Sequence, residues 1–250
     1  MTTSERPVAL VTGGSRGIGA AIARALATAG YDLLLTYAAN APAADAVAAD
    51  CASFGANTVV QQADAADLGS VERVFAALDE GFGRLDVLVN NAGVLPDAAR
   101  TETFSAERVS RVLTVNTAAV VLCAGAAVRR MSTAHGRGGG VIINVSSRAA
   151  ELGGAGEFVD YAMSKAAVDI MTRALANEVA SEGIRVLGIR PGLIDTDMNA
   201  AHPGRLDRLG PSIPLGRVGT AEEVAQVVGW LVSPAASYLT GITIDVSGGR

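Results

Sequence analysis

Short apolar runs alternate with longer helical patterns along the whole chain, and this alternation is the feature that most limits its fold. Seven runs are typical of strands, at 8–12, 32–37, 57–64, 85–93, 140–147, 184–192 and 241–249. Between them, helical apolar periodicity covers 17–30, 42–54, 68–82, 105–131, 161–182 and 221–232. Because the strands are continuous Val, Ile and Leu runs, we expect them to be buried on both faces. The pattern predicts a single α/β domain, a doubly wound parallel sheet flanked by helices on both faces.

The composition limits the classes of function. The chain has 250 residues, of which 50% are apolar and 18% are charged, so we expect one folded domain rather than a disordered segment. A formal net charge of −5 gives no basic surface for nucleic acid or anionic lipid. The longest uncharged apolar stretch, 112–128, is shorter than the roughly 20 residues of a membrane span. It favours a helix in the core or against a partner subunit. We therefore predict no nucleic-acid partner and no membrane span.

The cysteines and histidines indicate no metal site. Cys51 and Cys123 have no ligand or CxxC spacing, and we interpret them as small packing residues. His135 and His202 lie in stretches flanked by Gly and Pro, where we expect exposed loops, and neither has a second ligand at metal-binding spacing. The N-terminal residues lack a basic segment followed by an apolar run, so we predict no signal peptide and a cytoplasmic location.

A glycine-rich loop, TGGSRGIG at 12–19, connects the first strand to the first helix. Gly13, Gly17 and Gly19 would allow tight turning and a close approach of the backbone to a ligand. The free N–H groups of the following helix suit a pyrophosphate. The spacing is GxxxGxG rather than the commoner GxGxxG, and a plain strand-to-helix turn is the alternative. Its place after the first strand favours a nucleotide.

Two further motifs follow. NNAG, at 90–93, ends the fourth strand, where ligands bind in open α/β sheets, although Asn and Gly also favour ordinary turns.

Tyr161 and Lys165 are four residues apart and would share one face of a helix. Lys165 is the only lysine of the chain, against 19 arginines. An ammonium near a phenol favours the phenolate and would bring the pKa of the tyrosine toward neutrality, whereas the alternative is an incidental surface pair.

Taken together, the motifs resemble those of the short-chain dehydrogenase/reductase family over essentially the whole chain. The matching segments are TGGSRGIG, NNAG, LTVNT with Asn116, INVSS, YAMSK and RPGLIDT. The resemblance implies one Rossmann-type domain over 1–250. Its cofactor-binding half would be about 1–150 and its catalytic half about 140–250, with a substrate loop at 193–217.

Four positions of this sequence match the catalytic residues of the family. By resemblance, Tyr161 is the general acid or base, and Lys165 lowers its pKa and holds the nicotinamide ribose. Ser147 would donate to the substrate oxygen, with Ser146 as its rival. Asn116 would interrupt its helix and hold a water that connects Lys165 to solvent.

The resemblance also implies a cofactor site. Besides Tyr161 and Lys165, the matching residues are Gly13, Ser15, Arg16, Ile18, Gly19, Tyr37, Asp64, Ala65, Asn91, Ala92, Gly93, Pro191, Gly192, Ile194 and Thr196. Members that prefer NAD carry an acid at the end of the second strand, where this chain has Tyr37. Arg16 can instead pair with a 2′-phosphate, so NADP(H) is favoured over NAD(H). A solvated loop arginine is the alternative for Arg16.

The implied function is an NADP(H)-dependent oxidoreductase acting on a carbonyl or alcohol of a small molecule. Alternatives are a 3-oxoacyl-acyl-carrier-protein reductase and a sugar dehydrogenase. Arg129 and Arg130 could meet an acidic carrier, whereas Glu178 and Glu182 would repel it. A dinucleotide-sensing regulator is a further class, disfavoured because the catalytic set is complete. By resemblance the protein is a homo-oligomer, a tetramer or a dimer.

The substrate is not specified by the sequence. The spacer between Ser147 and Tyr161 is one residue longer than in many members of the family, and it helps to form the substrate pocket. Arg205 and Arg208, in the loop 193–217, could contact an anionic group or could be solvated.

Overall fold

A parallel sheet of seven strands forms the centre of the part of the chain that the structure describes, residues 6–200, 202 and 204–250 of a computed structural model. The strands are β1 (Val8–Val11), β2 (Asp32–Tyr37), β3 (Thr58–Gln62), β4 (Val87–Asn90), β5 (Gly140–Val145), β6 (Ile184–Pro191) and β7 (Thr243–Val246). Their order is β3-β2-β1-β4-β5-β6-β7, and each pairing is parallel. The doubly wound α/β fold predicted from the sequence is confirmed.

Helices cover both faces of this sheet. They are α1 (Gly17–Thr28), α2 (Ala41–Ser53), α3 (Ser70–Gly81), α4 (Ala106–Leu113), α5 (Ala119–Met131), α6 (Ala149–Leu152), α7 (Val159–Val179), α8 (Asp197–Ala200), α9 (Arg205–Leu209) and α10 (Ala221–Val232). The six predicted helical segments appear as α1, α2, α3, α4 with α5, α7 and α10. The short helices α6, α8 and α9 lie in the spacer before Tyr161 and in the loop 193–217, where the sequence shows no clean period.

Successive strand residues face two different cores. In β1, Ala9 and Val11 pack with α1 and α10, whereas Val8 and Leu10 pack on the opposite face with α3, α5 and α7. Both sets are completely buried. This arrangement explains the continuous apolar runs, because a strand that is covered on both faces has no polar side to alternate. Burying one such leucine or valine contributes about 1.5–3 kcal/mol.

The helical segment predicted over 105–131 is interrupted near its middle. α4 ends at Leu113, residues Thr114–Ala118 form a π-helical turn, and α5 continues to Met131. Asn116 lies in this turn, as the family resemblance implied. Among the described residues, Ala106–Met131 is one helical stretch long and apolar enough to cross a membrane, and half of it is buried inside the protein. Core helices pass the same test, and the inner face of α5 packs on the sheet.

Candidate active site

A cavity of about 470 Å³ lies at the carboxyl ends of β1 and β4. The strand order reverses between these two strands, because β2 and β3 lie on one side of β1 and β4 on the other. The loops that follow them therefore diverge and leave a crevice, the usual ligand site of such sheets. The volume is within the range of cofactor and small-molecule sites.

The cavity brings together residues from segments that are far apart in the chain. Each of the residues predicted to bind a cofactor lines it: Gly13, Ser15, Arg16, Ile18, Gly19, Tyr37, Asp64, Ala65, Asn91, Ala92, Gly93, Tyr161, Lys165, Pro191, Gly192, Ile194 and Thr196. Ser147 and Ser146 line it as well, whereas Asn116 is completely buried behind the wall. Distant sequence motifs thus form one site.

The glycine-rich loop and the NNAG segment are packed against each other without space for a side chain. A Cβ atom on Gly19 would lie 2.2 Å from the carbonyl oxygen of Gly13 and 2.5 Å from Nδ2 of Asn91. Gly13 has φ +65°, a conformation that favours glycine. Nδ2 of Asn91 donates to the carbonyls of Thr12 and Gly13 at 2.9 and 3.1 Å. Asn91 therefore holds the loop from behind.

Thr12 is a positioning residue that the sequence analysis did not single out. Its hydroxyl accepts from the backbone N–H groups of Asn91 and Ala92, each at 3.0 Å. Asn90 was also missed, and its side chain donates to Oδ1 of Asn144 at 2.9 Å between β4 and β5. The available signal was a polar residue at the end of an otherwise apolar strand, since such a residue needs a buried partner.

The first turn of α1 opens into the cavity. Gly17, Ile18 and Gly19 line the wall, and the helix has no side-chain cap and no acidic residue in its first turn. Its leading N–H groups are therefore left for a ligand, and the helix dipole places partial positive charge there. These features fit the pyrophosphate of a dinucleotide.

The end of β2 carries no carboxylate toward the cavity. Tyr37 ends the strand, and Ala38, Ala39 and Asn40 follow it along the wall. Arg16 faces this region with 73% of its side chain exposed and lies 3.9 Å from Asp197. An exposed pair at that distance contributes little to stability, so the guanidinium is available to a ligand.

The start of α7 is anchored beside the cavity. The carboxylate of Asp160, almost completely buried, accepts from Nε of Arg108 at 2.8 Å and from the backbone N–H of Tyr161 at 3.0 Å. The charged contact between Arg108 and Asp160 holds these two side chains in one geometry. It fixes where α7 begins and therefore where Tyr161 faces the cavity.

Lys165 follows one turn later on the same helix, and only 4% of it is exposed. Its Nζ donates to the carbonyl of Val145 at 2.9 Å. Burial lowers the pKa of Lys165 to about 8, and the negative charge of Asp169 partly opposes this effect. A Cβ atom on Gly93 would lie 3.4 Å from Nζ, so the ammonium borders the NNAG segment closely.

The pKa of Tyr161 differs from the sequence-based expectation. Burial raises it above its ordinary value, and the opposing influences are a hydrogen bond from Ser147 and the positive charge of Arg205. The ammonium of Lys165 lies 5.9 Å from the centre of the tyrosine ring and is bonded to Val145. Ser147 and Arg205 therefore lower the pKa of Tyr161, but by less than burial raises it.

The two candidate serines have different surroundings. The hydroxyl of Ser146 is buried and donates to the backbone carbonyl of Lys165 at 3.1 Å. The hydroxyl of Ser147 accepts from the N–H of Ala149 at 3.1 Å. Its hydrogen bond with Tyr161 lowers the pKa of the phenol. Ser147 therefore faces the phenol, whereas Ser146 joins β5 to α7.

The side chain of Asn116 is occupied by the protein itself. Its Oδ1 accepts from the N–H of Val94 at 2.8 Å, and its Nδ2 donates to the carbonyl of Val94 at 3.0 Å and to Ser164 at 3.1 Å. The amide thus fastens the segment after β4 to the π-helical turn. Its Oδ1 can accept one further hydrogen bond, and the water-holding role implied by the resemblance stays a prediction.

The structure separates Arg205 from Arg208. Arg205 lines the cavity, donates from Nη1 to Oδ1 of Asn199 at 3.2 Å, and lies 4.8 Å from the ring centre of Phe158. Arg208 is 61% exposed and pairs with Glu157 at 2.8 Å.

One histidine departs from its predicted surroundings. His202 packs edge-on against Phe158, with ring centres 5.6 Å apart, and is half-buried rather than exposed. His135 is exposed, as predicted. The two cysteines are free and buried, which agrees with packing roles, although Cys123 also borders the cavity.

A doubly wound sheet with a glycine-rich loop at its switch point and a Tyr–Lys pair across the cavity defines a nucleotide-dependent oxidoreductase. The chain belongs to the short-chain dehydrogenase/reductase family. A family profile described as enoyl-(acyl carrier protein) reductase matches residues 13–250.

Individual relatives agree with this family membership. The uncharacterized oxidoreductase YgfF of Escherichia coli (strain K12) is 48% identical over 245 residues, which cover 97% of this chain and 99% of the relative. A 3-oxoacyl-(acyl-carrier-protein) reductase of Synechocystis is 39% identical over 100% of this chain and 98% of its own. A short-chain dehydrogenase of Burkholderia cenocepacia, solved in complex with NADP, is 36% identical and superposes with a TM-score of 0.91 over 97% of both chains.

Proposed function

We propose that the protein is an NADP(H)-dependent oxidoreductase that interconverts a carbonyl and a secondary alcohol of a small molecule. The observation that carries the proposal is the placement of Tyr161 on the cavity wall, beside Ser147 and one turn before Lys165. A reducible carbonyl placed between the phenol and the serine hydroxyl would receive two donors on one oxygen. Bound NADP(H) would supply or accept the hydride.

Each residue of this group has a distinct task. In the reducing direction, Tyr161 gives its phenolic proton to the carbonyl oxygen, and in the oxidising direction it accepts that proton. Ser147 donates to the same oxygen, where negative charge develops, and so stabilises the transition state. Lys165 keeps a positive charge beside the NNAG segment below about pH 8. We propose that it holds the ribose next to the nicotinamide.

The cofactor would be held mainly by the first half of the chain. The open N-terminus of α1 fits the pyrophosphate, and Asp64 with Ala65 border the place proposed for the adenine. Arg16 and the absence of a carboxylate in the described loop after β2 favour a 2′-phosphate. The solved relative from Burkholderia cenocepacia contains NADP, which supports the same preference.

A 3-oxoacyl thioester is the second candidate substrate, because several relatives bear that name. Its acidic carrier protein would need a basic surface. Arg130 already pairs with Asp79 at 2.7 Å, and Glu182 accepts from Ser132 near the end of α7. The pairing of Arg130 reduces the positive charge available to an acidic carrier at this surface, so we rank a small free ketone first. A sugar dehydrogenase remains a prediction without a supporting contact.

We further propose a homo-oligomer, a tetramer or a dimer. Val121 and Leu122 on α5 and Met163 and Ile170 on α7 are exposed apolar side chains on neighbouring helices. Covering them between subunits would remove apolar surface from water. The division into a cofactor-binding half over 1–150 and a catalytic half over 140–250 and the cytoplasmic location stay predictions.

The test is a spectrophotometric assay of NADPH and NADH consumption with a panel of ketones, aldehydes, quinones and 3-oxoacyl thioesters. Wild type and Tyr161→Phe are compared, and we expect turnover with NADPH that falls by about 10²–10⁴ in the variant, because the proton donor is lost. Tyr238→Phe is the matched control, since Tyr238 is fully exposed.

Two results would contradict the proposal. If Tyr161→Phe retained the wild-type rate, the phenol would not be the proton donor. If NADPH bound tightly but no compound of the panel turned over, the dinucleotide-sensing alternative would be favoured.

A further inference from the structure

Arg205 places a positive charge on the cavity wall beside the residue proposed to carry the chemistry. It begins α9 in the loop 193–217, and its charge acts on the phenol of Tyr161. No step of the proposed reaction uses this guanidinium. The inference below rests on the proposed function and concerns its substrate.

The guanidinium lacks an acidic partner in the part of the chain that the structure describes. No carboxylate oxygen there lies within 4.0 Å of it, and its hydrogen bond goes to the neutral amide of Asn199. Its Nε is shielded from solvent and has no acceptor among the described residues. The neighbouring Arg208, by contrast, is paired with Glu157. A buried donor without an acceptor is costly, and an acceptor supplied by a ligand would remove that cost.

Arg205 is also held in place before any ligand arrives. Its guanidinium lies over the ring of Phe158 at 4.8 Å, and Phe158 is itself buried. Phe158 precedes Tyr161 by three residues at the start of α7, so the cation and the phenol are positioned by the same turn of helix. A cation fixed in this way loses little conformational freedom when it binds an anion.

We propose that Arg205 binds a carboxylate of the substrate, and that the protein acts on short oxo acids and the corresponding hydroxy acids. A planar guanidinium offers parallel N–H groups that match the two oxygens of one carboxylate. Arg205 and Tyr161 line the same cavity, and the guanidinium rests on Phe158, three residues before Tyr161. The carbonyl and the carboxylate of the substrate would therefore be close together, as in a 2-oxo or 3-oxo acid.

The reaction balances without a further reactant. The carbonyl carbon gains the hydride from NADPH, the carbonyl oxygen gains the proton of Tyr161, and the C=O double bond becomes a C–O single bond. The carboxylate stays bound to Arg205 and is unchanged. The products are a hydroxy acid and NADP⁺, and solvent returns the proton to the tyrosine.

The first experiment compares kcat/KM for 3-oxobutanoate and 2-oxobutanoate with that for their methyl esters, which lack the charge. We expect wild type to prefer the acids. In Arg205→Gln, kcat/KM for the acids should fall about 10²-fold more than that for the esters, and this additional loss should appear mainly in KM. Arg208→Gln is the matched control on the same helix, and it should retain the preference. Arg205→Lys should restore part of it, because it keeps the charge but not the two-pronged geometry.

The second experiment measures binding without turnover. Calorimetric titration of 3-oxobutanoate and 2-oxobutanoate into the NADP⁺-loaded protein, where no hydride is available, should show binding to wild type and Arg208→Gln but not to Arg205→Gln. This readout separates the two proposals, since it does not require reduction of any compound. If the wild type reduced other carbonyls but bound neither acid, only the Arg205 proposal would be wrong.

Two further outcomes would overturn the inference. A wild-type preference for the esters would show that the cavity does not receive an anion. An equal fall with acids and esters in Arg205→Gln would show that the arginine acts through Tyr161 or through the fold of the loop.

Discussion

Replacing Lys165 with methionine removes a buried ammonium and leaves an apolar side chain of similar length at the same place. Burial lowers the pKa of this lysine from 10.5 to about 8. At about 1.36 kcal/mol per pKa unit, keeping the group charged in the folded protein costs about 3 kcal/mol. Charged Lys165 is therefore expected to destabilise the folded protein, and we interpret this cost as one that is tolerated because the lysine is needed for function.

The sign of the pH dependence follows from the two pKa values. Between about pH 8 and 10.5 the folded protein has released this proton while the unfolded chain still holds it. The unfolded state then binds more protons, so the free energy of unfolding of the wild type rises with pH in this window. Lys165→Met has no such contribution. Relative to the variant, the wild type should gain about 2 kcal/mol between pH 7 and 9.5.

Urea denaturation of the cofactor-free proteins at half-unit steps from pH 7 to 9.5 measures this difference. Groups common to both proteins cancel when the two free energies are subtracted. The upper limit keeps the measurement below the raised pKa of Tyr161, which would act in the opposite direction. A difference that stays constant across the range would refute the argument that Lys165 titrates near pH 8.

Two other substitutions test the cofactor loop. Gly19→Ala should destabilise the protein by about 1–3 kcal/mol and weaken NADPH binding at least roughly tenfold, because its Cβ would meet the carbonyl of Gly13 at 2.2 Å. Thermal unfolding and fluorescence titration measure the two effects. Gly229→Ala in α10, where a Cβ would meet nothing within 4 Å, is the control and should stabilise by about 0.5–1 kcal/mol. Arg16→Gln should raise KM for NADPH about tenfold and leave KM for NADH nearly unchanged, and equal effects on both would exclude a 2′-phosphate contact.

The sheet and the position of the site could be predicted because they depend on local patterns. Strands covered on both faces are apolar, and this holds for the inner strands of the sheet. The edge strands β3 and β7 are only partly buried and include Gln and Asp, so the expected burial on both faces was wrong for these two, because each edge strand has a neighbour on one side only. Parallel strands place their carboxyl ends at one edge of the sheet, so the glycine-rich loop and NNAG had to meet there. The four-residue spacing of Tyr161 and Lys165 likewise determined that they share one face of α7.

Contacts between distant segments could not be predicted in the same way. Ser146 and Ser147 are adjacent, and only the packing of β5 against α7 turns one hydroxyl to the backbone of Lys165 and the other to Tyr161. The side-chain amide of Asn116 bonds the backbone of Val94, 22 residues earlier, and no feature of the sequence indicates this pairing. Such partners depend on how whole elements dock, which residue order alone does not specify.

By itself, the sequence determined the doubly wound fold, the family and the residues that surround the cavity, because periodicity and motif spacing are local properties of the chain. The tertiary structure alone decided which arginine of the loop 193–217 lines the cavity. Arg205 and Arg208 are three residues apart in one irregular loop, and the sequence does not show which of them could contact a ligand. The docking of α9 against Phe158 places Arg205 in the cavity and leaves Arg208 paired with Glu157, because contacts with segments distant in the chain decide how this loop packs.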